Sequence, residues 1–298
     1  MTMTQSDTPR TMGSPGSGLA AKAVPRLHSV PRAGLWQRFG ERVSTVLSFL
    51  FAWGLLLAFW EIGAALGWLN ARILPPPSQT IPFLLEGRAV VGFGTQRTGL
   101  FEAIGVTLLR IASGLVLGLT AALVIGFLIV QVRALRLLVL PIVQTIAPIS
   151  PVAWVPFAIA IVGIGDPAAI FVVFMAIFGS MCCAAVAAFD AVPYEYRKVA
   201  RSLGASESTV MRTVVLPAAA PALMTTVRMS FFAAWMAVLA GEMAGINSGL
   251  GYLIIMGQQM FNMNLVMVGV IAIGAVGFAL DRALLMLQRR IIWWEDAR

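Results

Sequence analysis

Glu61, Arg110, Arg228, Glu242 and Asp281 stand inside long apolar stretches. A charge held in hydrocarbon is costly, so such residues pair with one another or do a job there. Chain order puts Glu61, Arg110 and Glu242 in one half of the membrane, and Arg228 and Asp281 in the other. Arg110 is therefore expected to pair with Glu61 or Glu242, and Arg228 with Asp281. The alternative use of either arginine is attraction of an anionic solute, which the nearby acids would cancel. Covalent chemistry has little to work with. His28 is the only histidine and lies in a polar N-terminal stretch, which excludes most histidine catalysis and metal ligation. Lys22 and Lys198 are the only lysines, and neither closes a Gly-x-x-x-x-Gly-Lys-Ser/Thr phosphate cradle. Cys182 and Cys183 are adjacent in an apolar run, where packing is the default reading. No cofactor or metal is expected in this chain; if nucleotide drives it, another chain binds the nucleotide.

The elements that hold these residues are membrane spans. Hydrophobic residues make up 59% of the 298 and charged residues only 11%, against about 25% charged in soluble domains. The net charge of +8 sits in short segments flanking apolar runs, a topology signal rather than a nucleic-acid one. The bilayer is a partner and nucleic acid is not. The expected order is a disordered cytoplasmic tail (1–34), an interfacial helix (35–43), a transmembrane domain (44–290) and a cytoplasmic C-terminal tail (291–298). Six spans are expected near 44–68, 103–130, 137–163, 168–189, 218–244 and 265–287. Residues 69–100 form an external loop, and 245–264 an external or re-entrant segment too short to cross. Fifteen Lys/Arg fall in the tails, the 131–136 turn and the 190–217 segment, and three fall in the opposite loops. The positive-inside rule then places both termini in the cytoplasm.

Three spans carry further signals. Pro141, Pro148, Pro151 and Pro156 interrupt the third, and a broken helix at depth either lines a watery cavity or packs as a kink. Pro148, Pro151, Trp154 and Pro156 are the candidate path residues. Asp166 reads as an N-cap with Pro167 at the first helical position. Gly114, Gly118, Ala122 and Gly126 recur every four residues in the second span, a stripe for close helix packing. Met229, Met236, Met243 and Met267 read as adaptable packing.

Residues 190–217 form a polar island, DAVPYEYRKVARSLGASESTVMRTVVLP, between two spans. Val192, Tyr196, Val199 and Leu203 fall on one helical stripe, while Arg197, Lys198 and Arg201 point elsewhere. Gly204 suits a left-handed helix stop, and Ser206 suits the cap of a second helix with Glu207 at its positive end. A stiff, basic helix–turn–helix at a membrane face is a docking surface for a cytosolic partner.

The island resembles the "EAA" coupling loop of permease subunits of binding-protein-dependent ABC importers, with Lys198-Val-Ala200, Gly204 and Leu216-Pro217 in the family's places. Leu74-Pro-Pro-Pro-Ser78, Thr107-Leu-Leu-Arg110, Pro148-Ile-Ser-Pro-Val-Ala-Trp-Val-Pro156, Gly163-Ile-Gly165, Ala240-Gly-Glu-Met243 and Gly249-Leu-Gly-Tyr252 are similar to the nitrate/sulfonate/taurine/bicarbonate branch. The resemblance implies an all-α, type I importer permease fold with about six spans. It implies a homodimer, two cytoplasmic ATPase subunits that bind ATP-Mg, and an extracytoplasmic solute-binding protein. It also implies that Glu195, Arg197, Lys198, Ala200, Arg201, Gly204, Ala205 and Ser206 form the ATPase-coupling segment. The chain would be a non-catalytic subunit carrying a small oxyanion or organic analogue (nitrate, bicarbonate, an alkanesulfonate or taurine). One departure stands out: Lys198 and Val199 replace the family's leading Glu and Ala, so that acidic contact does not transfer. An ion-coupled secondary transporter is the alternative, though no inverted repeat is evident.

Overall fold

The computed structural model describes residues 35–86, 90–91 and 98–291. The expected 1–34 tail and residues 292–298 of the C-terminal tail lie outside them. The chain divides into two units, Met1–Gly54 and Leu55–Arg298. Helix α1 (Leu35–Ala65) begins in the first unit and ends in the second; it starts at Leu35 without a break, so residues 35–43 are its opening turns. Of its apolar residues, Phe49, Phe51 and Trp53 are exposed. That suits a helix whose solvent is lipid.

Among its described residues, the regular structure of the second unit is helical apart from a two-residue antiparallel pair, β1 (Val90–Val91) with β2 (Thr98–Gly99). Its elements are α2 (Pro77–Leu85), α3 (Leu100–Gln131), α4 (Arg133–Ile146), α5 (Pro151–Val162), α6 (Asp166–Asp190), α7 (Tyr194–Ser202), α8 (Glu207–Val210), a π-turn (Met211–Val215), α9 (Leu216–Met243), α10 (Leu250–Gln259) and α11 (Met263–Ile291). Among the described residues, five helices are long and apolar enough to cross a membrane, or six with α4 and α5 counted as one bent span. The protein is an all-α polytopic membrane protein.

The expected third span is a broken helix, more sharply bent than a kink. It breaks into α4 and α5 at 104°. Pro148 removes a donor at the break, and Pro151 opens α5 with Ser150 held extended at ψ 137°, as a residue before proline must be. The second helix of the polar island also differs from expectation. It is not separate, since α8, the π-turn and α9 form one rod over Glu207–Met243. Pro217 can bond no preceding carbonyl, and the π-turn just before it absorbs the mismatch without ending the helix.

Helices α3, α6 and α9 form the centre of the unit. The small-residue stripe of α3 lies directly on α6. A Cβ at Gly114 would come within 2.5 Å of Val173 Cγ1, one at Gly118 within 2.6 Å of Ile177, and one at Gly126 within 2.9 Å of Ala185 Cβ. The backbones meet because nothing projects between them. The buried core falls into two clusters, one toward the α10 end (Ile111, Val173, Trp235, Leu250, Leu265) and one toward the α7 end (Ile129, Met181, Phe189, Val210, Val215).

Candidate functional site

Two arrangements occupy opposite ends of the unit. Toward the α10 end, Arg110 is the hub of a buried polar network. Its Nη1 donates to Glu242 Oε1 and to the Ser248 carbonyl, both at 2.8 Å. Its Nε and Nη2 donate to Asp166 Oδ1 at 2.8 and 2.6 Å, and Nη2 also reaches Ser248 Oγ. Thr107 Oγ1 donates to Glu242 Oε1 at 2.8 Å while accepting from Leu250 N at 3.0 Å. Gly251 N donates to Glu242 Oε2 at 2.9 Å. Every donor of the guanidinium and both carboxylate oxygens of Glu242 are therefore engaged, the condition under which a buried pair is tolerated. The network ties α3, the start of α6, the end of α9 and the start of α10 together.

Local sequence explains this convergence. Arg110 and Thr107 are one turn apart on α3 and share a face. Gly249 opens α10 at φ 101°, a region that side chains resist, and a Cβ there would strike the Glu242 carboxylate. The structure thus brings Arg110 to Glu242 and not to Glu61. Glu61 instead accepts from Ser78 N at 3.2 Å and Ser78 Oγ at 2.7 Å, which fixes the first turn of α2. Asp166 is not the cap of α6; Gly165 occupies that position, and the Asp166 carboxylate is turned to Arg110. Sequence reasoning missed Asp166, Thr107, Ser248 and Gly251. Thr107 and Gly251 lie within motifs already singled out, and that grouping was the available signal.

Arg228 meets Asp281 separately, Nε to Oδ1 at 2.9 Å, and joins α9 to α11. At the α4–α5 break, Pro148 and Pro156 are exposed while Pro151 and Trp154 are half-buried. Trp154 packs edge-on to Phe157 at 6.1 Å, and its indole N–H is buried without an acceptor among the described residues. Among those residues there is no group of three or more His, Cys, Asp or Glu able to hold a metal.

The other arrangement is α7 and its stop. Leu203 caps the helix, Gly204 takes φ 83°, Gly204 N donates to Arg201 O at 2.9 Å and Ala205 N to Ala200 O at 3.1 Å. These two bonds make a Schellman stop. Ser206 accepts from Thr209 N at 3.3 Å and starts α8. Arg201 pairs with Glu207 at 2.7 Å and holds the two arms of the turn together. Arg197 Nη2 donates to the Phe189 carbonyl at 2.7 Å, and Arg136 of α4 pairs with Asp190. Ala200 and Ala205 pack on the core cluster at the α7 end. Val192 is buried, but the rest of the expected apolar stripe faces outward: Tyr196, Val199 and Leu203 are exposed, the last at 83%. Glu195 and Lys198 are exposed beside them. A rigid short helix therefore presents large apolar side chains among cations, while both of its ends are fastened to spans.

The family model of binding-protein-dependent transport system inner membrane components matches residues 114–293. A probable ABC transporter permease protein of Brucella abortus (strain 2308) is 32% identical over 252 residues, 82% of this chain and 96% of its own length. The nitrate import permease protein NrtB of Synechocystis sp. is 30% identical over 273 residues, 87% of this chain and 96% of its own. The taurine transport system permease protein TauC of Escherichia coli is 28% identical over 240 residues, 80% and 86% of the two chains. Among solved structures, an inward-facing form of the MetNI methionine ABC transporter is similar at 21% identity and a TM-score of 0.48, covering 62% of this chain and 95% of that one. The chain belongs to the family of binding-protein-dependent transport system inner membrane components and is an ABC importer permease subunit.

Proposed function

We propose that two copies of this chain form the path of an ATP-driven importer for a small oxyanion or its organic analogue, of the nitrate, bicarbonate, alkanesulfonate or taurine class. Two ATPase subunits bind ATP-Mg on the cytoplasmic face, a solute-binding protein delivers from the other side, and this chain performs no covalent chemistry. The substrate class is supported by relatives named for nitrate, bicarbonate and taurine transport. The strong bias of Lys/Arg toward the α7 side supports cytoplasmic termini. The exposed α9 residues Met229, Phe232 and Met236 are available to a second copy.

The observation that carries the coupling reading is the mechanical continuity of α7. The ATPase seats on Tyr196, Val199 and Leu203. A displacement there passes through Arg197 to the end of α6, and through the Arg201–Glu207 pair to the single rod running from α8 through α9. A floppy loop would dissipate that motion; a capped helix with fastened ends transmits it. At the far end, the Arg110 network holds the same two spans, α6 and α9, to α3 and α10. Motion at α7 is thus delivered to a bundle that pivots as a body. The test is Val199→Asp with Leu203→Asp in the reconstituted complex. ATP-driven uptake is expected to be lost while the permease remains folded; undiminished uptake would contradict the reading.

A further inference from the structure

Arg110 and Arg228 differ in how much of the guanidinium is used. Arg110 is 3% exposed and all its donors are engaged. Arg228 gives Asp281 one edge only: Nε donates to Oδ1 at 2.9 Å and Nη2 to Oδ2 at 3.2 Å. Its Nη1 has no partner among the described residues, and the side chain is 35% exposed. A guanidinium has a second edge, Nη1 with Nη2, that can take two oxygens of another anion. Asp281 is 12% exposed. It balances the charge of Arg228 and leaves that second edge open.

Arg228 borders the exposed face of α9. Ala218, Ala222, Thr225, Met229, Phe232 and Met236 fall at i, i+4, i+7, i+11, i+14 and i+18, and all six are exposed. Arg228 lies one turn beyond Thr225 and adjoins Met229. It is the one cation of α9, whose one acid, Glu242, is buried. Toward α7 the stripe is small: Ala218, Ala222 and Thr225 line a cleft of about 550 Å³ that reaches Pro193 and Tyr196. Toward α10 it carries Met229, Phe232 and Met236. The half-used guanidinium therefore stands where small side chains give way to large ones.

We infer that Arg228 is an oxyanion contact on the solute path, offering Nη1 and Nη2 to two oxygens of the passing anion while Asp281 holds the Nε edge. The inference rests on the reading that two copies of the chain enclose the path of a small oxyanion, and adds a residue that recognises it. Because Asp281 already balances the charge, the anion is held by hydrogen bonds rather than by an unopposed cation. A conducting site must bind well enough to admit the solute and weakly enough to release it. Nitrate, bicarbonate and a sulfonate each present two oxygens on one atom, which matches the fork of an arginine and not the point charge of a lysine.

The test uses the whole complex with its binding protein in proteoliposomes, offered nitrate, bicarbonate, methanesulfonate and taurine in turn. It measures anion accumulated per ATP hydrolysed. Arg228→Asp/Asp281→Arg exchanges the partners, keeping the tie between α9 and α11 while moving the cation off α9. Arg228→Met/Asp281→Leu replaces the pair with apolar side chains, a change that buried pairs often tolerate. For the anion that the wild type accumulates, both double variants are expected to lower the ratio at least tenfold while remaining monodisperse. A pair that only ties helices together predicts a wild-type ratio for the exchanged variant, and that result overturns the proposal. So does a wild-type ratio in the apolar variant, or failure of both variants to assemble, which would show that the pair serves the fold. A wild-type complex that accumulates none of the four anions sinks the underlying reading and this proposal with it; a transporting wild type with an undiminished double variant sinks this proposal alone.

Discussion

Arg110 and Glu242 lie 132 positions apart in the chain and meet at 2.8 Å with both side chains buried. The same guanidinium holds Asp166, so three spans share one cation. Removing it leaves a desolvated carboxylate on Glu242. Breaking a buried pair from one side costs about 3–5 kcal/mol. Arg110→Ala is therefore expected to lower the melting temperature of the detergent-solubilised permease more than Glu242→Gln, which keeps an acceptor for Thr107 and Gly251 N. The Arg110→Met/Glu242→Gln double variant is expected to recover part of the loss; strict additivity of the two changes would show that the pair is not coupled.

Gly118 and Gly274 offer a matched comparison. A Cβ at Gly118 would meet Ile177 at 2.6 Å, while one at Gly274 meets nothing within 4 Å. Gly118→Val is expected to abolish well-folded protein by size-exclusion chromatography, since overpacking a tight interface costs about 1–3 kcal/mol or more and here faces a rigid α6. Gly274→Ala is expected to match wild type or exceed it slightly, because alanine favours helix.

Gly249 is constrained twice, by φ 101° and by the Glu242 carboxylate beside it. Gly249→Ala is expected to destabilise about as much as the loss of Arg110, and to do so less once Glu242 is shortened to Asp. Thermal melts of the two single variants and the double variant measure that relief.

On α7, position should decide the phenotype. Leu203 is exposed and Val192 is buried. Leu203→Asp is expected to leave the permease's melting temperature within error and to stop ATPase co-purification. Val192→Asp is expected to lower the melting temperature, since an unpaired buried charge is strongly destabilising. Gly204→Ala, forced to remain left-handed, should cost about 1–2 kcal/mol and weaken coupling in proportion.

Much of this was legible from local rules. The apolar runs gave α3, α6, α9 and α11 within a few residues, because hydropathy sets span length. Gly204 and Ser206 were readable as a stop and a start because each acts within a turn of its own backbone. What escaped was longer range or more than one rule deep. Asp166 next to Pro167 reads as a cap, and only the fold reveals an arginine within reach that outbids the backbone. Glu61 looked like a membrane charge in need of a cation but serves the hydroxyl and amide of Ser78. Four prolines announced a break in the third span but not its 104° angle, which depends on how α5 packs against α6 and α9. The π-turn before Pro217 carried no sequence signal beyond the proline itself.

The central claim is that α7 is the point at which an external ATPase moves this subunit. Uptake into proteoliposomes measures it most directly, with the wild-type complex compared against the same complex carrying Val199→Asp and Leu203→Asp and against the permease alone. The account predicts ATP-dependent accumulation for the wild type and none for the other two, with the variant permease still monodisperse. Accumulation by the permease alone, or by the α7 variant at the wild-type rate, would contradict it.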